Sequence, residues 1–164
     1  MTFIPRLFFA CGLALGCAGA GPKPGGLAPS FSLPDLFHNH AAVNLHASEG
    51  KVVLVDFWAS WCPPCNKTVA ELGHLRSRNP ALVIMALSVD EDRTKAMDFL
   101  KIRDTTVIFL HDAKRETAKK FDLGGMPSAF LIDKHGILRH RYDGYGEGEI
   151  KKIEAEVKKL LEEK

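Results

Sequence analysis

The chain has 164 residues, of which 46% are apolar and 26% charged, and its formal net charge is +2. That length accommodates a single domain able to bury a substantial core once a leader of some 20 residues is set aside. Acids and bases are interspersed, so no basic face argues for nucleic acid as a partner, and no internal repeat is visible.

The chain opens as a targeting segment. Met1 to Arg6 supplies a weakly positive start, and Leu7 to Gly16 is an apolar stretch too short to cross a bilayer as a helix. Two processing readings compete. Ala18-Gly19-Ala20 fits an A-x-A cleavage site, which would release a freely soluble protein. Ala14-Leu15-Gly16-Cys17 resembles a bacterial lipobox, although Ala14 stands where leucine is expected, and it would make Cys17 the lipidated first residue. The second reading is preferred because it accounts for a cysteine at that point. The chain divides into a signal peptide over residues 1–20, with Cys17 as the mature N-terminus if it is of the lipoprotein type, a flexible linker over 21–27 and the folded domain over 28–164. Both readings take the chain out of the cytosol, into a compartment where disulfides form.

Pro29 to Asp35 and Val43 to Leu45 read as two short strands joined by the polar loop Phe37 to His40, whose His38 and His40 are solvated. Gly50-Lys51 turns the chain into Val52 to Phe57, an apolar, mostly β-branched run suited to a central strand covered on both faces. From about Pro63 to Asn79 the apolar residues Val69, Leu72 and Leu75 recur near helical spacing. Ala81 to Val89 is a second buried strand, Thr94 to Arg103 a crossover helix, Thr106 to Leu110 a strand and Lys114 to Phe121 a short helix. Gly124-Gly125 breaks the chain. Ser128 to Ile132 and Ile137 to Tyr142 then make a hairpin around Asp133-Lys134-His135-Gly136. After the loop Gly144 to Gly148, a last helix puts Ile150, Ile153, Val157, Leu160 and Leu161 on one face, with Glu147–Lys151 and Glu154–Lys158 pairs outside. The order of elements predicts an α/β domain with a mixed central sheet and helices on both faces.

The chemistry centres on Trp61-Cys62-Pro63-Pro64-Cys65, where the central strand runs into a helix. Two cysteines two residues apart on a first helical turn can close a small disulfide or attack one, because the positive helix end stabilises a thiolate. Cys62, placed where its sulfur can be exposed, is the expected nucleophile, and Cys65 the resolving thiol. Pro63 and Pro64 suit a helix start but bring no N–H to the sulfur. Trp61 is expected to shield the disulfide at the surface, and Trp58 to pack beneath it. A zinc site is disfavoured: the only other cysteines are Cys11 and Cys17, in the leader, and no histidine pair has ligand spacing. A purely structural bridge across so short a loop would constrain the unfolded chain little. Asp56, a carboxylate within an apolar strand, calls for an explanation.

Trp-Cys-Pro-Pro-Cys, its adjoining strand and Phe130-Leu131-Ile132-Asp133 resemble the thioredoxin superfamily, and within it the TlpA/ResA-like branch of bacterial envelope thiol–disulfide oxidoreductases. The resemblance covers Ala28 to Lys164. It implies a thioredoxin-like fold with an N-terminal β-hairpin and one inserted helix. The activity it implies is reduction of protein disulfides, such as those of apocytochrome c, with no cofactor or metal beyond the redox-active Cys62–Cys65 disulfide. It also implies a membrane electron donor of the thioredoxin-reducing type and an envelope or periplasmic location, lipid-anchored or soluble. Asp56 matches the aspartate that moves protons to and from the resolving cysteine. Pro127 matches the cis-proline facing the cysteines, where the Met126 backbone pairs with an extended substrate. Trp61, Pro63, Pro64, Met126 and Pro127 are therefore the expected substrate contacts. Two residues depart from the pattern. Thr68 stands where many members of the branch have a glutamate, and Ala70 where thioredoxins have a helix-kinking proline. Asp56 is expected to substitute for the missing glutamate. A peroxiredoxin-like thiol peroxidase and a copper-binding module remain as alternatives. The first fits poorly because Ser60-Trp61-Cys62 lacks the peroxidatic Thr-x-x-Cys pattern, and the second would want a distant histidine and wider cysteine spacing.

Overall fold

The computed structural model describes residues 21–38, 41–100 and 106–163. The leader with Cys11 and Cys17, both processing sites, His40 and the end of the expected crossover helix lie outside these residues.

Val53–Trp58 forms β3, and all its residues are buried. A strand apolar on both faces has to sit inside a sheet, and β3 is the middle strand of five. Its parallel neighbour is β4 (Val83–Ser88), which is in turn parallel to β5 (Ile108–His111). On its other side it pairs antiparallel with β6 (Ser128–Ile132), and β6 with the edge strand β7 (Leu138–Asp143). The two halves of the sheet differ in direction for a connectivity reason. β6 and β7 are joined by a hairpin, whereas β3, β4 and β5 are joined by crossovers. The expected mixed sheet is present.

Strand pleating sorts the side chains of β3 to two faces. Phe57 points to one, where it meets Phe121 and Phe130 with ring centroids 5.3 and 5.8 Å away. Phe121 lies on α3 (Glu116–Phe121), and Phe31 completes the cluster from the N-terminal segment. Asp56 and Trp58 share the opposite face, covered by α1 (Cys65–Arg78) and α4 (Glu147–Glu162). There the indole of Trp58 stacks on Phe99 of α2 (Arg93–Phe99) with centroids 4.8 Å apart. The N-terminal hairpin of β1 (Ser32–Pro34) and β2 (Ala42–Asn44) runs against the far edge. There Leu36 N–H donates to the Phe109 carbonyl at 2.8 Å, covering an edge that would otherwise be open to pairing.

Several boundaries moved for identifiable reasons. α1 begins at Cys65, not Pro63, because the chain before it is closed by tighter three-residue turns, Cys65 N–H to the Cys62 carbonyl and Asn66 N–H to the Pro63 carbonyl, and the first four-residue bond is Thr68 N–H to the Pro64 carbonyl at 3.5 Å. α2 starts one residue early, capped by the Asp92 carboxylate on Thr94 N–H at 2.8 Å. Leu45 leaves the hairpin and opens a 3-10 turn, Leu45–Ser48, capped by the Asn44 side chain. Glu147 faces Lys67 of α1 at 3.8 Å, so its partner is across the helix pair and not along α4. Glu154 keeps its expected contact with Lys158 at 3.1 Å but also takes a bidentate bond from Arg78 of α1. That ion pair ties α1 to α4 over the Asp56 face.

Candidate active site

β3 ends at Trp58, and the chain must turn before α1 can start. Asp90, just past the parallel neighbour β4, makes that turn. Its carboxylate accepts Ser60 N–H at 2.9 Å and the Ser60 hydroxyl at 2.7 Å, and is itself braced by Ser88 at 2.8 Å. Trp61 and Cys62 follow directly. Cys62 N–H donates to the Ala59 carbonyl, and Cys65 N–H to the Cys62 carbonyl, both at 3.1 Å, so the motif is wound into tight turns leading into α1. Cys62 and Cys65 are joined as a disulfide with Cα atoms 5.4 Å apart. Cys62 lies one turn before α1 and not on it. It retains 5% exposure where Cys65 has none, so of the two cysteines only Cys62 is open to solvent.

The Met126–Pro127 peptide is cis, as the resemblance implied. It lies at the start of β6 beside the disulfide, and Trp61, Cys62, Pro63, Pro64 and Met126 line one shallow cleft with Leu123, Gly124 and Gly125. Among the described residues, no charged side chain lines it. The Gly124–Met126 loop is pinned from β7: Asp143 accepts Gly124 N–H at 3.2 Å and the Ser128 hydroxyl at 3.0 Å, while Arg141 holds the same carboxylate at 2.6 Å. These contacts keep the Asp143 carboxyl below the ordinary carboxylate range despite its partial burial. Trp61 projects into solvent, 57% exposed, with the Arg115 guanidinium 5.9 Å above its ring. It flanks the disulfide as an open apolar wall of the cleft, whereas Trp58 is wholly buried, as expected.

Asp56 does not line the cleft. It is fully buried on β3, between Ala86 of β4 and Ala129 of β6. Burial pushes its carboxyl up from 3.8 to about 7, against the lowering effect of a hydrogen bond from Tyr145. The Tyr145 hydroxyl donates to Asp56 Oδ1 at 2.5 Å, and Asp56 Oδ2 has no hydrogen-bond partner among the described residues. Thr68, on the first turn of α1, bonds the Cys65 carbonyl at 3.2 Å and also meets the Tyr145 hydroxyl.

Of the residues read from the sequence, the structure brings Cys62, Pro63, Pro64, Trp61 and Met126 to one cleft, while Cys65 is buried behind Cys62 in the disulfide, Pro127 follows Met126 through the cis bond, and Asp56 lies apart. Sequence reasoning did not find Tyr145, Asp90 or Asp143. A tyrosine isolated between Gly144 and Gly146 was the one available signal, since glycines on both sides free the backbone to turn a large side chain inward. Asp90 and Asp143 act through contacts far apart in sequence and left no local trace.

A disulfide between strand and helix, faced by a cis-proline loop on a mixed five-stranded sheet, defines a thioredoxin-like protein. Comparison with known proteins agrees. The sequence profile of the Redoxin family matches residues 23–160, and the chain belongs to that family. The chain is 32% identical over 118 residues to thiol:disulfide interchange protein DsbE of Allochromatium vinosum, covering 71% of this chain and 65% of the relative. It is 29% identical over 119 residues to thiol-disulfide oxidoreductase ResA of Bacillus cereus, covering 71% and 68%. The match thus spans just under two thirds of the DsbE relative. Among solved structures, a Chlorobium tepidum protein provisionally named thiol:disulfide interchange protein DsbE superposes with a TM-score of 0.80. It is 28% identical, and the alignment covers 86% of this chain and 99% of that one.

Proposed function

We propose that this protein is a thiol–disulfide oxidoreductase that reduces disulfides of other proteins outside the cytosol. The observation that carries the reading is the Cys62–Cys65 disulfide set beside the cis-Pro127 loop in a cleft that the described residues line without a charged side chain. An extended polypeptide is the ligand such a cleft suits, with its strand laid along the Met126 backbone and its apolar side chains against Trp61, Pro63 and Met126. The names of the DsbE and ResA relatives support the same reaction class.

In the reduced enzyme, the Cys62 thiolate attacks one sulfur of the substrate disulfide, and the second substrate sulfur leaves with the electron pair and takes up a proton. The Cys65 thiol then loses its proton to Asp56. Its sulfur attacks Cys62, the mixed disulfide breaks, and the substrate departs as a dithiol while Cys62 and Cys65 become the disulfide. Two electrons pass from enzyme to substrate in each cycle, so a reductant must restore the dithiol. A membrane donor of the thioredoxin-reducing type fits that need. Cytochrome c maturation is the process we assign to the activity, and the cell envelope its location, with Cys17 as a lipid anchor. A mature N-terminus mapped at Gly21 would rule the anchor out.

Direction is the point to test. Pro63 and Pro64 supply no N–H donors to sulfur, and an ionised Asp56 beneath the site opposes a thiolate. Both weaken stabilisation of the reduced form, which places the couple nearer about −270 mV than about −120 mV. Equilibration with glutathione buffers measures it. A value above about −150 mV, in the oxidant's range, would make the protein a disulfide donor and end the reductase reading. Reduction of insulin without consumption of peroxide would separate it from a thiol peroxidase.

A further inference from the structure

Against Asp56 and the first turn of α1 lies a buried hydroxyl that the expected roles do not use. Tyr145 is 4% exposed, in the loop ahead of α4, and donates to Asp56 Oδ1 at 2.5 Å. Burial and the neighbouring Asp56 push its own phenol well above the ordinary value, so it stays a donor throughout the working range. Thr68 meets the same hydroxyl and reaches the Cys65 carbonyl, which links Asp56 to the first turn of α1. Among the described residues, Tyr145 is the ionisable side chain bonded to Asp56. Ala86 and Ala129 flank Asp56 on the sheet, α1 brings Thr68 to the Tyr145 hydroxyl, and the acids of α4's first turn are directed elsewhere. Glu147 faces Lys67 at 3.8 Å, and Glu149 accepts from Gly146 N–H at 3.0 Å.

A carboxylate with one oxygen engaged by a strong donor takes its proton on the other oxygen. Here the engaged oxygen is Oδ1, and Oδ2 is buried without a partner among the described residues. We propose that Tyr145 is a positioning residue for the resolving step: by holding Oδ1 it orients the Asp56 carboxylate and directs the proton leaving Cys65 to Oδ2. This rests on the proton-relay role proposed above for Asp56. The Cys65 S–H bond breaks and an Oδ2–H bond forms. The sulfur pair then attacks Cys62, and the substrate sulfur departs with the electrons of the broken mixed disulfide. Asp56 returns the proton to Cys65 when the disulfide is next reduced. The Tyr145 bond also favours the ionised carboxylate, so it keeps Asp56 available as a base near neutral pH.

Reaction of the reduced protein with Ellman's reagent gives a direct readout. Attack by Cys62 releases one thionitrobenzoate, and attack by Cys65 on the resulting mixed disulfide releases a second, whose rate is followed from pH 5.5 to 9.5. Tyr145→Phe is expected to move the Asp56-dependent midpoint up by about one pH unit. Release should slow several-fold at pH 6.5 and recover by pH 9. In an Asp56→Asn background the same change should leave the rate–pH curve unaltered. If Tyr145→Phe keeps the wild-type midpoint, or stays slow at every pH, the positioning role is overturned. If Asp56→Asn itself leaves the wild-type curve intact, the underlying relay fails instead, and the two failures are told apart. Carbon NMR of the wild-type protein is the readout should Tyr145→Phe not fold. The Asp56 carboxyl and the Tyr145 ring carbon bearing the hydroxyl should then titrate with one common midpoint, and separate midpoints would overturn the proposal.

Discussion

Asp56→Asn offers the sharpest test of the buried carboxylate, because it predicts a stability curve as well as a rate. The folded protein holds the Asp56 proton up to about pH 7, whereas the unfolded chain releases it near 3.8. Between these values the folded state binds more protons than the unfolded, so stability falls as pH rises and the loss is complete above about 7. The interval corresponds to at most about 4 kcal/mol at full burial. Asparagine carries no charge and keeps an acceptor for Tyr145, but its amide has no evident partner where Oδ2 lies. That unsatisfied group costs about 1–3 kcal/mol at every pH. Asp56→Asn should therefore be less stable than wild type by about 1–3 kcal/mol near pH 4 and more stable by about 1–3 kcal/mol near pH 8. Urea unfolding of both proteins with the disulfide intact, across pH 4 to 9, measures the difference. Acids whose carboxyls are held low, such as Asp35, Asp133 and Asp143, contribute to both curves and cancel. A difference that stays flat from pH 4 to 8 would refute the argument that burial governs Asp56.

Other consequences can be measured independently. Brief iodoacetamide treatment of the reduced protein, followed by mass mapping, should label Cys62 ahead of Cys65, since only Cys62 keeps any exposure; predominant label on Cys65 would reverse their roles. Gly124→Ala would bring a Cβ within 3.1 Å of Asp143 Cγ, an atom already fixed by Ser128 and Arg141, so thermal unfolding should register a loss of about 1–3 kcal/mol, with a raised KM for protein substrates. Glu154, lowered from 4.5 to about 2 chiefly by Arg78, has the opposite sign to Asp56: its stabilisation is present above pH 4.5 and lost as pH falls through about 2. Glu154→Gln should accordingly destabilise the protein at pH 7 and have little effect at pH 2, as followed by circular dichroism.

The sequence by itself determined the elements and the chemistry of the cysteines. An apolar run such as Val52 to Phe57 has no favourable place except inside a sheet, and Cys62 and Cys65, three positions apart, meet through local backbone turns alone. Hairpin β6–β7 was equally legible, since Gly136 at a φ of +76° ends a turn that Asp133 braces with its own side chain. Only the tertiary structure decided what surrounds the disulfide. Tyr145 reaches Asp56 across 89 positions of sequence, and Asp90 grips Ser60 across 30, because neighbouring strands and the α1–α4 pair bring distant segments together. Contacts of that kind depend on where whole elements pack, and no local periodicity encodes them. Asp56 shows the division within a single residue: its place on a buried strand was readable from its neighbours in sequence. Which of its oxygens is engaged, and which has no partner among the described residues, was settled by a tyrosine from the other end of the chain.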